Sequence, residues 1–213
     1  MIKNLSDRNP VLLLHGIFDT GHIFNSMAAH LTQKGWAVHH LDMRPNFGIA
    51  PIERLAAQVA DYVAEQLSEQ PIDIVGFSMG GIVARYYLQR LGGLSQVQRF
   101  ITLSSPHHGT LTGNAWPLKG GQQMGYNSDF MRSLNADRHQ LHRVQFTSVW
   151  TPYDLMIVPA NSSQLGIGCE LTVPVLVHRW MVSDPRCLAI VTDKLSEPLS
   201  LPHTGTYPLR RSH

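Results

Sequence analysis

Short apolar runs alternate with amphipathic stretches along the chain, and this rhythm limits the available folds more than any other feature. Val11-Leu12-Leu13-Leu14 is uninterrupted and closes on His15-Gly16, the pattern of a strand covered on both faces. Trp36–Leu41, Ile72–Val75, Phe100–Leu103 and Val144–Trp150 read as further strands. Val173–Val177 reads as a sixth, with Pro174 placing it at a strand start or a sheet edge. Between them, residues 52–68 set Ile52, Leu55, Ala56, Val59, Val63 and Leu67 at three- and four-residue spacing, painting one helical face, with Pro51 suited to the first turn. Residues 79–91, 184–195 and, less regularly, 22–34 read as helices too. Strand and helix in alternation predict the α/β class: about six mostly parallel strands, with helices on both faces.

At 213 residues the chain fits one domain, expected over 1–197. Apolar residues make up 43% and charged residues 15%, so a disordered chain is excluded. The formal charge is +2, with no block of like charges, which speaks against nucleic acid as a partner. No apolar run reaches the ~18 residues of a membrane span. Met1–Pro10 is polar and does not resemble a secretory signal, so the expectation is a soluble, cytoplasmic protein. Residues 198–213, rich in Pro, Ser, Thr and His, predict a loosely ordered tail. Residues 110–143 break the rhythm. They hold Gly113, Asn114, Pro117, Gly120, Gly121 and Gly125, with one helical stretch near 128–138, and read either as a functional loop or lid or as an ordinary surface excursion.

Gly76-Phe77-Ser78-Met79-Gly80-Gly81 contains G-x-S-x-G. The bare pattern is only suggestive, and its context supplies the weight: a strand precedes it and a helix follows. Such a turn lifts a serine hydroxyl clear of the sheet, brings neighbouring chain too close for side chains at Gly76 and Gly80, and aims a helix N-terminus at developing negative charge. A serine hydroxyl is a weak nucleophile and needs a base, which itself needs an orienting group. In the order Ser, acid, His, the acids after Ser78 are Asp129, Asp137, Asp154, Glu170, Asp184, Asp193 and Glu197. Only Asp154 closely follows a firm strand, and reactive groups in open α/β sheets lie beyond the strands' carboxyl ends. The same rule selects His178 after 173–177 over His139 and His142 in the insertion and His203 and His213 in the tail. An oxyanion needs two backbone donors: Met79, after the serine, and Ile17, in the loop after the first strand.

With Leu13-Leu14-His15-Gly16-Ile17, this turn, Ser105-Pro106-His107-His108-Gly109-Thr110 and Thr151-Pro152-Tyr153-Asp154-Leu155-Met156-Ile157-Val158, the chain resembles small bacterial lipases of the α/β-hydrolase fold. Val177-His178-Arg179-Trp180 and Asp184-Pro185-Arg186 bring it nearest the cyanobacterial triacylglycerol-lipase-like branch. The resemblance runs over roughly residues 9–197. It implies a minimal α/β-hydrolase fold and carboxylic-ester hydrolysis, with Ser78 as nucleophile, His178 as base, Asp154 as orienting acid, and Ile17 and Met79 as oxyanion donors. Phe77 departs from the His that many lipases carry there, without touching the proton relay.

Phe18, Phe24, Leu155, Met156, Trp180 and Met181 adjoin these positions and read either as an acyl pocket or as plain core. His139 and His142 lack a third ligand nearby, His39 and His40 face opposite ways along a strand, and no carboxylate cluster suggests calcium, so no metal or cofactor is expected. Cys169 and Cys187 flank His178 and read as free thiols or as one bridge pinning its loop. The expected substrate is an acyl ester, with acylglycerols foremost, and contact at a lipid or membrane surface is compatible with the low charge. An acyltransferase or thioesterase could use the same three residues, and a non-catalytic lipid- or protein-binding member of the fold is the remaining alternative.

Overall fold

The computed structural model describes residues 8–68 and 70–199. Six strands form one sheet: β1 (Val11–Leu14), β2 (Val38–Leu41), β3 (Ile72–Phe77), β4 (Val97–Leu103), β5 (Gln145–Trp150) and β6 (Cys169–Thr172). Every neighbouring pair is parallel, in the order β2-β1-β3-β4-β5-β6. The tail expected over 198–213 lies outside the described residues from 200 onward.

Alternation along the strands divides the core into two layers. Leu12, Leu14, Ile72, Ile74, Phe100 and Phe146 face one side, where α2 (Ile52–Gln66) and α3 (Met79–Arg90) cover them. Val11, Leu13, Val75, Phe77, Ile101 and Val149 face the other, under α1 (Asn25–Gln33) and α7 (Pro185–Ser196). The helix expected over 52–68 buries Ile52, Leu55, Ala56, Val59 and Val63 along its stripe. Each of its larger aliphatic side chains contributes ~1.5–3 kcal/mol by leaving water. The 22–34 segment begins as a 3-10 turn at Gly21–Phe24 before α1. Asp184 starts α7, its carboxylate accepting from the Arg186 N–H at 2.9 Å, with Pro185 in the first turn.

The sixth strand is a correction. It lies at Cys169–Thr172, while the expected 173–177 run continues beyond it as irregular chain. The Val173 N–H still donates to the Trp150 carbonyl at 2.9 Å, but beyond that bond the run follows no strand; Val173 and Val175 are buried, so its apolarity reports packing onto the core. The insertion 110–143 folds into α4 (Leu111–Asn114), α5 (Lys119–Gln123) and α6 (Asp129–Ala136), followed by a 3-10 stretch at Arg138–Arg143. Its return to the body is anchored by Arg85 of α3, which is fully buried. That guanidinium donates to the carbonyls of His107 and Leu134 and to Asn135 Oδ1, and burial draws its pKa down to about 9. Among the described residues no helix is long and apolar enough to cross a membrane.

Candidate active site

The strand order reverses direction at β1 and β3: from β1 the chain crosses to β2 on one side, and from β3 it proceeds to β4, β5 and β6 on the other. A crevice opens at the carboxyl ends of two such strands because their outgoing connections diverge. The loop His15–Asp19 leaves β1 there, and Ser78 leaves β3.

Ser78 has φ 52° and ψ −121°, a left-handed conformation disfavoured for a side chain with a Cβ. Surrounding contacts hold it. Its N–H donates to the Leu103 carbonyl at 2.9 Å, and its carbonyl accepts from Gly81 at 3.1 Å. Close approach explains the glycines. A Cβ at Gly80 would lie 2.0 Å from the Leu14 carbonyl oxygen, one at Gly76 2.6 Å from the Gly81 backbone, and one at Gly81 2.1 Å from Ser105 Oγ. The last constraint had no sequence signal beyond the doubled glycine.

Asp154 lies in the loop after β5 and is 5% exposed. One carboxylate oxygen accepts from the Met156 and Ile157 amides, both at 2.9 Å, and the other meets His178 Nδ1 at 2.7 Å. Burial pushes this carboxyl up, but the His178 bond and the two amides outweigh it and hold the pKa below its ordinary value. His178 opens a 3-10 turn beyond the irregular 173–177 chain, and its ring packs at 4.8 Å on Phe77. Thr151 ties the two loops together by donating to the Val175 carbonyl at 2.6 Å. Ser78 and His178 line one cavity of about 300 Å³. Among the described residues no hydrogen bond joins them, and in unliganded sites such bonds are often long.

Ile17 and Met79 sit on the two loops flanking the serine. Met79 occupies the first turn of α3, where helix geometry leaves N–H groups without partners, and among the described residues neither amide donates to a loop or cap carbonyl. The Ile17 loop is fixed by two residues that sequence reasoning missed. Asn46 accepts from the Phe18 N–H at 3.3 Å through its carbonyl and donates its side-chain amide to the Asp19 carbonyl, which accommodates Phe18 at φ 64°. His15 is fully buried, with Nδ1 against the Gly16 carbonyl at 2.8 Å and Nε2 accepting from the Met43 N–H at 2.9 Å. Those partners assign the proton to Nδ1. Burial pushes its pKa down, keeping the ring neutral.

The six pocket candidates divide. Phe18 and Met156 line the cavities beside Ser78. Phe24 and Met181 do not: both are completely buried in the core layer that α1 and α7 cover. Leu155 and Trp180 line neither cavity and face outward, 83% and 55% exposed. Adjacency in sequence to a reactive residue does not decide which way the next side chain turns. Thr110, Thr112, Gly113, Trp116, Gly121 and Met124, all from the insertion, supply the wall instead. Exposed Phe18, Phe47, Ile49, Leu111, Tyr153, Leu155, Met156, Leu176 and Trp180 stand on the five connections that leave the carboxyl ends of β1, β2, β4, β5 and β6, the edge of the sheet where this opening lies. Cys169 and Cys187 are free thiols, and burial pushes Cys187 up to about 12. Among the described residues no group of three His, Cys, Asp or Glu side chains is placed to hold a metal.

Residues 9–185 match a family described as alpha/beta hydrolase fold. A pimeloyl-[acyl-carrier protein] methyl ester esterase of Neisseria meningitidis is 38% identical over 82 residues, 38% of this chain and 31% of that one. A lysosomal thioesterase PPT2 homolog of Drosophila melanogaster is 32% identical over 105 residues, 47% of this chain and 36% of that one. The chain thus spans about a third of the length of these curated relatives. Among solved structures, the mature Bacillus licheniformis lipase BlEst2 superposes with a TM-score of 0.74 at 15% identity, covering 88% of this chain and 92% of that one, a likeness of fold.

Proposed function

This chain belongs to the alpha/beta hydrolase fold family, and from that premise we propose that it is a serine ester hydrolase using Ser78, His178 and Asp154. One observation carries the reading: His178 is held by Asp154 at 2.7 Å, in the cavity that Ser78 enters from its strained turn. The Asp154 carboxylate keeps the imidazole proton on Nδ1 and leaves Nε2 to accept the serine proton. Ser78 Oγ adds to the ester carbonyl while His178 takes that proton. The resulting oxyanion is held by the Ile17 and Met79 amides, and one such donor typically lowers the barrier by ~3 kcal/mol. His178 then protonates the departing alkoxide, which leaves as alcohol and an acyl-Ser78 ester remains. Water, deprotonated by the same imidazole, adds to that ester, and collapse releases the carboxylic acid and restores Ser78.

The proposed substrates are acyl esters, acylglycerols among them. The exposed apolar side chains around the opening support work at a lipid surface, where they would rest against the apolar phase. Thioester hydrolysis or transfer to another alcohol is the second reading, since the same acyl-enzyme serves all three and the thioesterase relative favours it.

The test is hydrolysis of p-nitrophenyl esters from acetyl to palmitoyl, by the wild type and Ser78→Ala. Serine-dependent turnover supports the reading, with Ser78→Ala losing at least ~10³-fold in kcat. Equal turnover by Ser78→Ala would sink it.

A further inference from the structure

Two cavities flank Ser78 and share Ile17, Phe18 and Met156 as walls. The larger, about 300 Å³, also contains His178, Phe77, Asp19 and Arg179, the last two ion-paired at 3.0 Å. The smaller, about 70 Å³, lacks His178 and is walled by Phe18, Thr112, Trp116, Met124, Met156 and Ile157, nearly all apolar. The chemistry of the proposed reaction assigns their roles. The leaving oxygen must receive its proton from His178, so the alcohol half of the ester lies in the cavity that contains that ring. The oxyanion points at the Ile17 and Met79 amides. The remaining direction from the tetrahedral carbon, along the acyl chain, is the smaller cavity.

That cavity is about 70 Å³, roughly half of the ~150 Å³ that takes up a benzene ring, and so holds an acyl chain of a few carbons. Trp116 closes it. Its indole is wedged between two stretches of backbone that carry no side chain. A Cβ at Gly48 would lie 2.6 Å from Trp116 Nε1, and one at Gly121 would lie 2.1 Å from its Cδ1. The ring meets Phe18 edge to face with centroids 5.2 Å apart. The bed beneath it is pinned as well. The Gly121 N–H donates to the Gly48 carbonyl at 3.3 Å, and the Gln123 side chain binds both the Ile52 amide and the Glu53 carboxylate. An indole held on two sides has no room to swing aside for a longer chain.

Resting on the hydrolase reading above, we infer that the acyl side admits only short chains and that Trp116 sets the limit. The bulkier or more polar half of the ester is the alcohol, which the larger cavity receives, so acylglycerols carrying short acyl groups fit this division.

The experiment compares kcat/KM for p-nitrophenyl butyrate and octanoate in the wild type and in Trp116→Ala. The octanoyl-to-butyryl ratio is the readout, because it does not depend on the amount of folded enzyme. In the wild type this ratio should fall below about one tenth, and in Trp116→Ala it should rise at least about tenfold. Trp116→Leu carries the same comparison if the alanine variant does not fold. An active wild type that prefers octanoyl, or a ratio unmoved by both variants, overturns the inference while leaving the hydrolase reading intact. Absence of Ser78-dependent turnover on every ester overturns that reading, and the inference falls with it.

Discussion

Replacing Asp154 with Asn separates the residue's chemical role from its structural one. One carboxylate oxygen already serves two backbone donors, Met156 and Ile157, while the other serves His178 Nδ1. An asparagine has a single acceptor oxygen, and the two loop amides claim it, because an NH₂ placed there would face two donors. The NH₂ is thereby turned toward His178, where Nδ1 can only accept. The ring proton moves to Nε2, the atom that receives the serine proton in the proposed mechanism. The expected loss is about 10⁴-fold in kcat, or ~5.5 kcal/mol of barrier, with the fold intact. Stability should drop by only ~1 kcal/mol, since charged hydrogen bonds are exchanged for neutral ones. Asp154→Ala instead strands the buried Ile157 N–H, at ~1–3 kcal/mol, and the part-buried Met156 N–H, and should unfold at clearly lower temperature than the Asn variant. Turnover of p-nitrophenyl butyrate and thermal melts of both variants provide the measurement. An Asn variant within tenfold of wild-type kcat, or one as destabilised as Ala, would refute the reasoning.

Arg99 and Asp73 form a buried ion pair at 3.0 Å between β4 and β3. Arg99→Leu leaves the carboxylate buried without its partner and should cost ~3–5 kcal/mol in urea unfolding, with much of that restored by adding Asp73→Leu; a loss under about 1 kcal/mol would contradict the assignment. Burial holds both His15 and His107 below the ordinary imidazole pKa, His107 far below, so the unfolded chain binds protons that the folded one refuses. Stability should therefore be flat above about pH 6.5 and fall as the pH drops toward those lowered values, by up to ~1.4 kcal/mol per pH unit for each ring. Urea midpoints at about pH 7.5 and about pH 5 should show a smaller acid loss in His107→Gln than in wild type, and an unchanged slope would exclude that ring as a contributor.

Five of the six strands were legible because a parallel sheet buries both faces, and burial writes itself as unbroken apolar runs. The same logic misplaced the sixth. Val173 and Val175 are buried in the core layer to which α7 also contributes, with only the Val173 N–H reaching β5, and composition cannot distinguish such packing from a fully paired strand. His178 nonetheless lies near the sheet's carboxyl edge, where the misplaced strand put it, since the connection after the true strand end is short. Ser78 and its glycines were readable because the turn needs those residue types at fixed spacing. Asn46 and His15 were not. Each acts through loop-to-loop hydrogen bonds made by a single polar side chain, which leaves no period in the sequence. Trp116 was hidden for a related reason: the insertion has no rhythm, and the two glycines that cradle its ring lie 73 positions apart, at Gly48 and Gly121.

The two halves of the site hang from different parts of the sheet. Ser78 extends from β3, which has a strand on each side, whereas the chain leading to His178 leaves β6, a four-residue strand at the sheet's edge with one neighbour. Local opening is cheapest where few buried contacts and exposed hydrogen bonds coincide. Fraying of that border would release the imidazole while the central strands, the elbow and most of the core stayed folded. On warming or in mild denaturant, the pairing of His178 with Asp154 should therefore be lost first, and spectroscopic measures of fold would still report an intact molecule.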